Sequence, residues 1–478
     1  MWECKYTSVF IRQLSTRASR ELLVPSVINR DNLASLLIRE RETYKLRNPQ
    51  SLSLYHSASN LFGGVPLTWM NKWSGGFPLY LDTAHGNRIT DVDGNTYVDF
   101  ALGDTASMAG HSPDASMKAI VHRMVDQGGL TTMLPTADAQ WVGAELTRRF
   151  GVPLWSFTLS ATDANRWAIR LARLATGKSK ILVFAWCYHG SVDETFAVPD
   201  HDGKATARPG NVAPPVPLDT TTRVVEFNDL EAVERELAHG DVAAILTEPA
   251  MTNIGIVLPE PGFLAGLRAL ATKYGALLMI DETHTFSAGP GGMTLRDGLQ
   301  PDMFVIGKSI GAGIPSGAYG FTHDVARAIN SHQEADLIDV GGVGGTLAGN
   351  SLSMAAMRAT LGEVLTEQAF EHMITLCDRY TEQVRALLEK YDVPWSISQV
   401  GARAEYRFVS PAPTTGTAAM LAGDDELDEF MHLFMCNRGI LMTPFHNMAL
   451  MCPNTSVEDV DLHAELFELA LQELTRTL

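Results

Sequence analysis

The chain has 478 residues, 45% hydrophobic and 19% charged, the make-up of a globular protein with a large core, which excludes a disordered chain. A formal net charge of −18 repels phosphate backbones and anionic lipid, so neither nucleic acid nor a membrane surface is an expected partner. No run approaches the roughly 20 apolar residues needed to span a bilayer. At the N-terminus, Met1 to Asn29 carries Lys5, Arg12, Arg17 and Arg20 against Glu3 and Glu21, with serines between them. This reads as a loosely ordered extension, and a mitochondrial transit peptide has the same basic, serine-containing composition. No apolar core is followed by a small-residue cleavage site, so a secretory signal is not expected.

From Asp31 to Leu46, Leu33, Leu36, Leu37 and Tyr44 fall on one side of a helix, with Arg39, Glu40 and Arg41 elsewhere, and Pro49 is expected to end it. Pro78 to Phe100 alternates short apolar runs around the turn Asp93-Gly94, the pattern of a small antiparallel meander. Aliphatic runs then recur at Lys180–Phe184, Arg223–Phe227, Ala243–Thr247, Leu277–Ile280 and Met303–Ile306. Helical patterns such as Asp163–Ala175 and Gly262–Tyr274 lie between them, the latter stopped by Gly275. Near-continuous apolar strands alternating with helices predict an α/β fold, a mostly parallel sheet covered on both faces. Helical patterns resume from Ser351 to Leu388, with strand-like Glu405–Val409 and Gly439–Thr443 beyond. The expected division is an extension over 1–29, an N-terminal segment of a small domain over 30–104, a large domain over 105–350 and a C-terminal α+β small domain over 351–478.

The five cysteines, Cys4, Cys187, Cys377, Cys436 and Cys452, are odd in number and scattered, so no disulfide framework and no metal centre is expected. A reducing compartment follows, the cytoplasm, with mitochondrial targeting by the N-terminal segment left open.

The informative stretch couples two strand ends. Leu277-Leu278-Met279-Ile280 runs into Asp281-Glu282, and Met303-Phe304-Val305-Ile306-Gly307 runs into Lys308, followed by Ser309-Ile310-Gly311-Ala312-Gly313. Ligands of open α/β sheets bind at the carboxyl ends of strands, so both charged side chains are expected in one crevice. A lone Asp or Lys at a strand end is ordinarily a cap or a surface charge. Together they suit an aldehyde cofactor, the amine forming a Schiff base and the buried carboxylate keeping a pyridine nitrogen protonated. The glycines after Lys308 depart from dinucleotide spacing and include Pro315, so a nucleotide loop is set aside.

At this point the chain resembles the class III aminotransferases of pyridoxal phosphate (PLP) fold type I, and within them the glutamate-1-semialdehyde aminomutase-like group. The resemblance spans about Ser59 to Leu478 and rests on Asp91–Asn95, Leu159–Ala164, Cys187–Gly190, Glu248-Pro249 with Asn253, Asp281-Glu282, Gly307-Lys308 and Gly345–Asn350. It implies a large, mostly parallel-sheet domain with a smaller α+β domain, and pyridoxal 5'-phosphate as cofactor. It implies that Lys308 holds the cofactor and moves protons, that Asp281 pairs with the ring nitrogen, and that Tyr188 and Thr283 lie against the two ring faces. Ser160, Ala161 and Thr162 would cradle the phosphate, and Thr346 would reach the phosphate of a second subunit, making a homodimer with shared sites. Glu248, Asn253 or His284 would contact the ring hydroxyl, and His189 joins the cofactor residues; for both histidines a structural role is the other reading.

Three departures stand out. The arginine by which the aminomutase group grips a substrate carboxylate falls at Met70, beside Trp69 and Trp73, so the entrance looks apolar and Arg403, then Arg407 or Lys72, is the candidate replacement. Trp69, Met70 and Arg403 are therefore the candidate substrate residues, and Asp104 and Phe445–Met448 border the region without assigned roles. Ala161 stands where the family has glycine, which predicts strain if φ there is positive. The family's Val-Met-Thr-Gly after the aspartate is Thr283-His284-Thr285-Phe286. The leading functional expectation is a ping-pong transaminase acting between a primary amine donor and a carbonyl acceptor; the alternative is an aminomutase that returns the amine to the same skeleton. A non-catalytic cofactor-binding protein is the reading from another class, disfavoured by the intact Asp281, Lys308 and Tyr188 set.

Overall fold

In the computed structural model, which describes residues 27–332, 334 and 342–476, the first helix starts where Asn29 accepts hydrogen bonds from the Asp31 and Asn32 amides. Cys4 and nearly all of the N-terminal extension lie outside the described residues. Helix Arg30–Arg47 buries Leu33, Leu36, Leu37 and Tyr44 and packs on helix Asp425–Cys436, where Asn437 and Arg438 donate to Glu40. Pro49 does more than end it: it is the first residue of a further helix, Pro49–Ser57. Proline suits that position because its missing N–H would have had no acceptor there.

The meander forms as expected, with strands Leu81–His85, Arg88–Asp91 and Thr96–Asp99 in antiparallel order. Asp91 accepts from the amides of Asp93 and Asn95 and closes the turn. Ile440–Leu441 joins Thr96–Asp99 in parallel, so the two ends of the chain share one sheet. A separate three-stranded sheet, Ser396–Val400, Arg403–Arg407 and Met448–Leu450, supplies the floor that carries Arg403.

The large sheet has seven strands in the order Leu154–Thr158, Gly317–Phe321, Met303–Gly307, Leu277–Asp281, Val242–Thr247, Lys180–Phe184, Thr222–Val225. The five aliphatic runs seen in the sequence are its parallel members. Two strands escaped the sequence reading, Leu154–Thr158 and Gly317–Phe321, the latter antiparallel to both neighbours. Gly317 and Gly320 give strand Gly317–Phe321 the composition of a loop, yet a Cβ on Gly317 would stand 2.7 Å from the Ser160 carbonyl carbon. The glycine lets the loop before helix Ala161–Thr176 lie directly on the sheet. That helix begins two residues before the expected Asp163, capped by Ser160 and closed by left-handed Gly177. Helix Phe263–Tyr274 ends at left-handed Gly275, as expected.

Among the described residues no helix is long and apolar enough to cross a membrane. The four described cysteines are buried and free of disulfides.

Candidate active site

Asp281 and Lys308 end adjacent parallel strands, with Asp281 paired to Val305. Both line a single cavity of about 260 Å³ at the carboxyl edge of the sheet.

One end of the cavity is built by Ser160, Ala161 and Thr162 at the start of helix Ala161–Thr176. Ser160 Oγ accepts from the Asp163 amide at 3.2 Å, and helix geometry leaves the Ala161 and Thr162 amides without an intrahelical acceptor. An anion is favoured there by those amides and by the helix dipole. Ala161 is the first helical residue and is not among the positive-φ positions, so the strain expected from its replacing glycine is absent. Gly190 packs against this loop at φ +78°, and a Cβ there would stand 2.7 Å from Thr162 Cα. Gly190→Ala should therefore displace Thr162 and weaken cofactor binding by roughly tenfold or more, about 1.4 kcal/mol, measurable by equilibrium dialysis; unchanged affinity would show that the loop does not hold the phosphate.

At the other end Asp281, 2% exposed, accepts from Asn165 Nδ2 at 2.8 Å, His189 Nδ1 at 2.9 Å and the Thr283 amide at 3.0 Å. Burial works against its charge, but the hydrogen bond from His189 and that residue's field hold the carboxyl below its usual range. His189 is pushed up to about 10: burial opposes this, and Cys187 and then the Asp281 hydrogen bond outweigh it. The two meet as a buried hydrogen-bonded pair. Thr283 Oγ1, Ser316 Oγ and His189 Nε2, all on cavity residues, have no hydrogen-bond partner among the described residues. Tyr188 forms a wall, its ring 5.6 Å from that of Trp69, which is 44% exposed and meets Phe445 at 6.1 Å.

Lys308 has φ +53°, unusual for a residue with a side chain, and Nζ lies 2.9 Å from Asp104 Oδ2, 3.1 Å from Asp104 O and 2.8 Å from His284 Nε2. Asp104 is partly buried, which opposes its charge, yet Lys308 and then His284 and Arg403 hold its carboxyl well below the usual range. His284 is pushed well below the usual imidazole range, first by burial and then by Lys308.

The other sequence candidates lie outside the cavity wall. Glu248 is buried against Thr252 Oγ1 at 2.5 Å and pushed up to about 7 by burial, and Asn253 donates to Trp186 O at 3.4 Å. Thr346 is exposed. Met70 is 46% exposed beside Trp69, and Arg407 donates to Ala419 O at 2.6 Å. Arg403, the first choice for gripping a carboxylate, is 1% exposed and donates to Thr105 Oγ1 and His284 Nδ1 instead of facing the cavity. Sequence reasoning missed Asn165, Thr105 and the wall formed by Gly313 to Ser316. Asn165 carried a signal, a polar residue on the buried face with Ala164, Ala168, Ile169 and Ala172.

A carboxylate, an amine, an aromatic wall, unpartnered hydroxyls and a helix N-terminus around one cavity fit a phosphorylated pyridine aldehyde. The model of the family described as aminotransferase class-III matches residues 69–471. A structure described as a glutamate-1-semialdehyde-aminomutase from Pseudomonas aeruginosa PAO1 is 48% identical with a TM-score of 0.90, covering 94% of this chain and 99% of that one. A variant of that protein has been solved in complex with PMP. The glutamate-1-semialdehyde 2,1-aminomutase of Chloroflexus aggregans is 35% identical over 395 residues, 77% of this chain and 85% of its own length. An omega-transaminase from Sphaerobacter thermophilus is 28% identical with a TM-score of 0.79, covering 89% of this chain and 97% of that one.

Proposed function

Because the chain belongs to the class III aminotransferases and its cofactor is pyridoxal 5'-phosphate, we propose that it is an aminomutase that moves an amino group between two carbons of one small substrate. What carries this reading is similarity to the Pseudomonas aeruginosa protein along almost the whole of both chains. The sequence alone put transfer to a separate acceptor first, and the relatives favour its alternative.

When bound, the cofactor supplies an electron sink for the bond broken at the substrate carbon. Lys308 Nζ would hold the cofactor aldehyde and, once displaced by the substrate amine, take a proton from the reacting carbon and return it. Asp281 would keep the ring nitrogen protonated, with Asn165, His189 and the Thr283 amide fixing its carboxylate. The amides of Ala161 and Thr162 would hold the phosphate, and Tyr188 and Thr283 would bracket the ring. Exposed Thr346 would complete the phosphate site of a second copy, giving a homodimer.

A second reading, transamination of an apolar amine, is favoured by one observation: among the described cavity residues Lys308 is the only Lys or Arg. Incubating holoenzyme with racemic glutamate 1-semialdehyde and no acceptor separates the two. The isomer shifted by one amino position should accumulate; turnover that starts only when pyruvate or 2-oxoglutarate is added would replace the first reading by the second.

A further inference from the structure

Tyr188, the aromatic wall of the cavity, stands on a backbone that its neighbours do not favour. Trp186, two residues before it, has φ +66°, a left-handed conformation that a bulky side chain rarely adopts. Such a residue persists only where its surroundings over-determine it. Two side chains from distant segments hold the next two carbonyls. Asn253 Nδ2 donates to Trp186 O at 3.4 Å, and Arg208 Nη1 donates to Cys187 O at 2.7 Å. Cys187 is 3% exposed, so losing that donor would strand a carbonyl in the interior.

Arg208 makes a second contact with the same group. It follows the hairpin strand Ala205–Ala207, and its amide donates to Phe196 O at 3.1 Å across the hairpin. Its guanidinium carbon lies 4.4 Å from the centre of the Phe196 ring, and that ring meets the Tyr188 ring at 5.8 Å and 74°. A guanidinium can lay its flat face on an aromatic ring while its edge donates in plane, which an ammonium cannot do. Arg208 therefore reaches Tyr188 by two routes, the backbone carbonyl just before it and the aromatic ring beside it. Ion pairing does not account for a cation here. Burial pulls Arg208 below its usual range, and the groups that oppose this are Cys187 and Tyr188, with no carboxylate among them. A partly buried guanidinium without an acid adds little to the stability of a fold, so its worth lies in what it holds in place.

We propose that Arg208 is a positioning residue for Tyr188, fixing the tilt and depth of the ring that walls the cofactor cavity, with Phe196 as the other half of the device. The inference rests on Tyr188 lying against the cofactor ring. Reacting groups displaced by about 1 Å can lose about a hundredfold in rate, so a wall that sets the tilt of the cofactor matters although it takes no proton.

The test is the visible circular dichroism of the holoenzyme, expressed per molecule of bound pyridoxal 5'-phosphate, because a ring held at one tilt between unlike walls is optically active and a loose one is not. Arg208→Met should lose most of this signal while its thermal midpoint stays within about 2 °C of the wild type. Phe196→Leu should lose it too, and the double variant should be no worse than either single one, since both remove the same support. Arg208→Lys, which keeps the charge but cannot make both contacts, should recover only part. A merely structural role would lower the midpoint and leave the signal per bound cofactor unmoved, and that result in Arg208→Met overturns the inference. Should Arg208→Met fail to fold, an unchanged signal in Phe196→Leu overturns it equally. Tyr188→Leu separates the two levels: a wild-type signal there removes the placing of Tyr188 against the ring, whereas its loss there with unchanged Arg208 and Phe196 variants removes only this proposal.

Discussion

Lys308→Ala should lower turnover by a factor of about a thousand or more while the large sheet stays folded. Two functions leave with the amine, the covalent hold on the cofactor and the carrier of the proton at the reacting carbon, and proton transfer alone is worth about 10²–10⁴. Cofactor should still enter, since Ser160 to Thr162, Tyr188 and Asp281 keep their places around the cavity, but the visible band of covalently held cofactor should vanish. Stability should move as well. Asp104 loses the first of the neighbours that hold its carboxyl low, and His284 Nε2 loses its partner. Both side chains of the Lys308–Asp104 pair are about a quarter exposed, 24% each, so water softens the loss to about 1–2 kcal/mol. The sign follows from a depressed carboxylate: the pair's contribution is present above about pH 4 and is lost as pH falls, so the thermal midpoints of wild type and variant should converge in acid. Residual turnover above a few per cent would mean that another group carries the proton.

Much of this was legible in the chain because it is encoded locally. Aliphatic runs such as Val242–Thr247 and Met303–Gly307 are buried on both faces, so nearly every residue reports the sheet, and the charged residue ending each run reports its edge. What escaped depends on contacts between distant segments. Strand Gly317–Phe321 reads as loop because glycine is needed where Ser160 approaches, a requirement set more than 150 residues away. Thr105 and Arg403 have no local pattern that would join them to His284; three separate elements bring them together. Arg403 was expected to grip a substrate because it is basic, but its strand turns it inward beneath the site. The strain expected at Ala161 came from comparing residue types, whereas conformation is set by where the helix begins, and it begins at Ala161.

Asp281→Asn should cost about 3–5 kcal/mol of apoprotein stability and reduce turnover by about a hundredfold or more. Three donors converge on the native carboxylate, from Asn165, His189 and the Thr283 amide. A carboxamide offers one oxygen and turns an NH₂ group toward at least one of these donors, leaving a buried N–H without an acceptor. It also removes the Asp281 hydrogen bond and field that, after Cys187, hold the His189 proton against burial. The pH dependence tests whether this pair is ionised. Asp281 is depressed below its ordinary 3.8, so its contribution is complete above about pH 4 and lost as pH falls through the lowered value. His189 is raised from 6.5 to about 10, so its contribution is complete below about pH 6.5 and erodes as pH rises toward 10. The urea midpoints of wild type and Asp281→Asn should therefore lie farthest apart near pH 5.5 and approach each other by about pH 10. A gap that stays constant across that range would show that His189 and Asp281 meet as neutral partners, and the carboxylate could not then hold a proton on the cofactor ring.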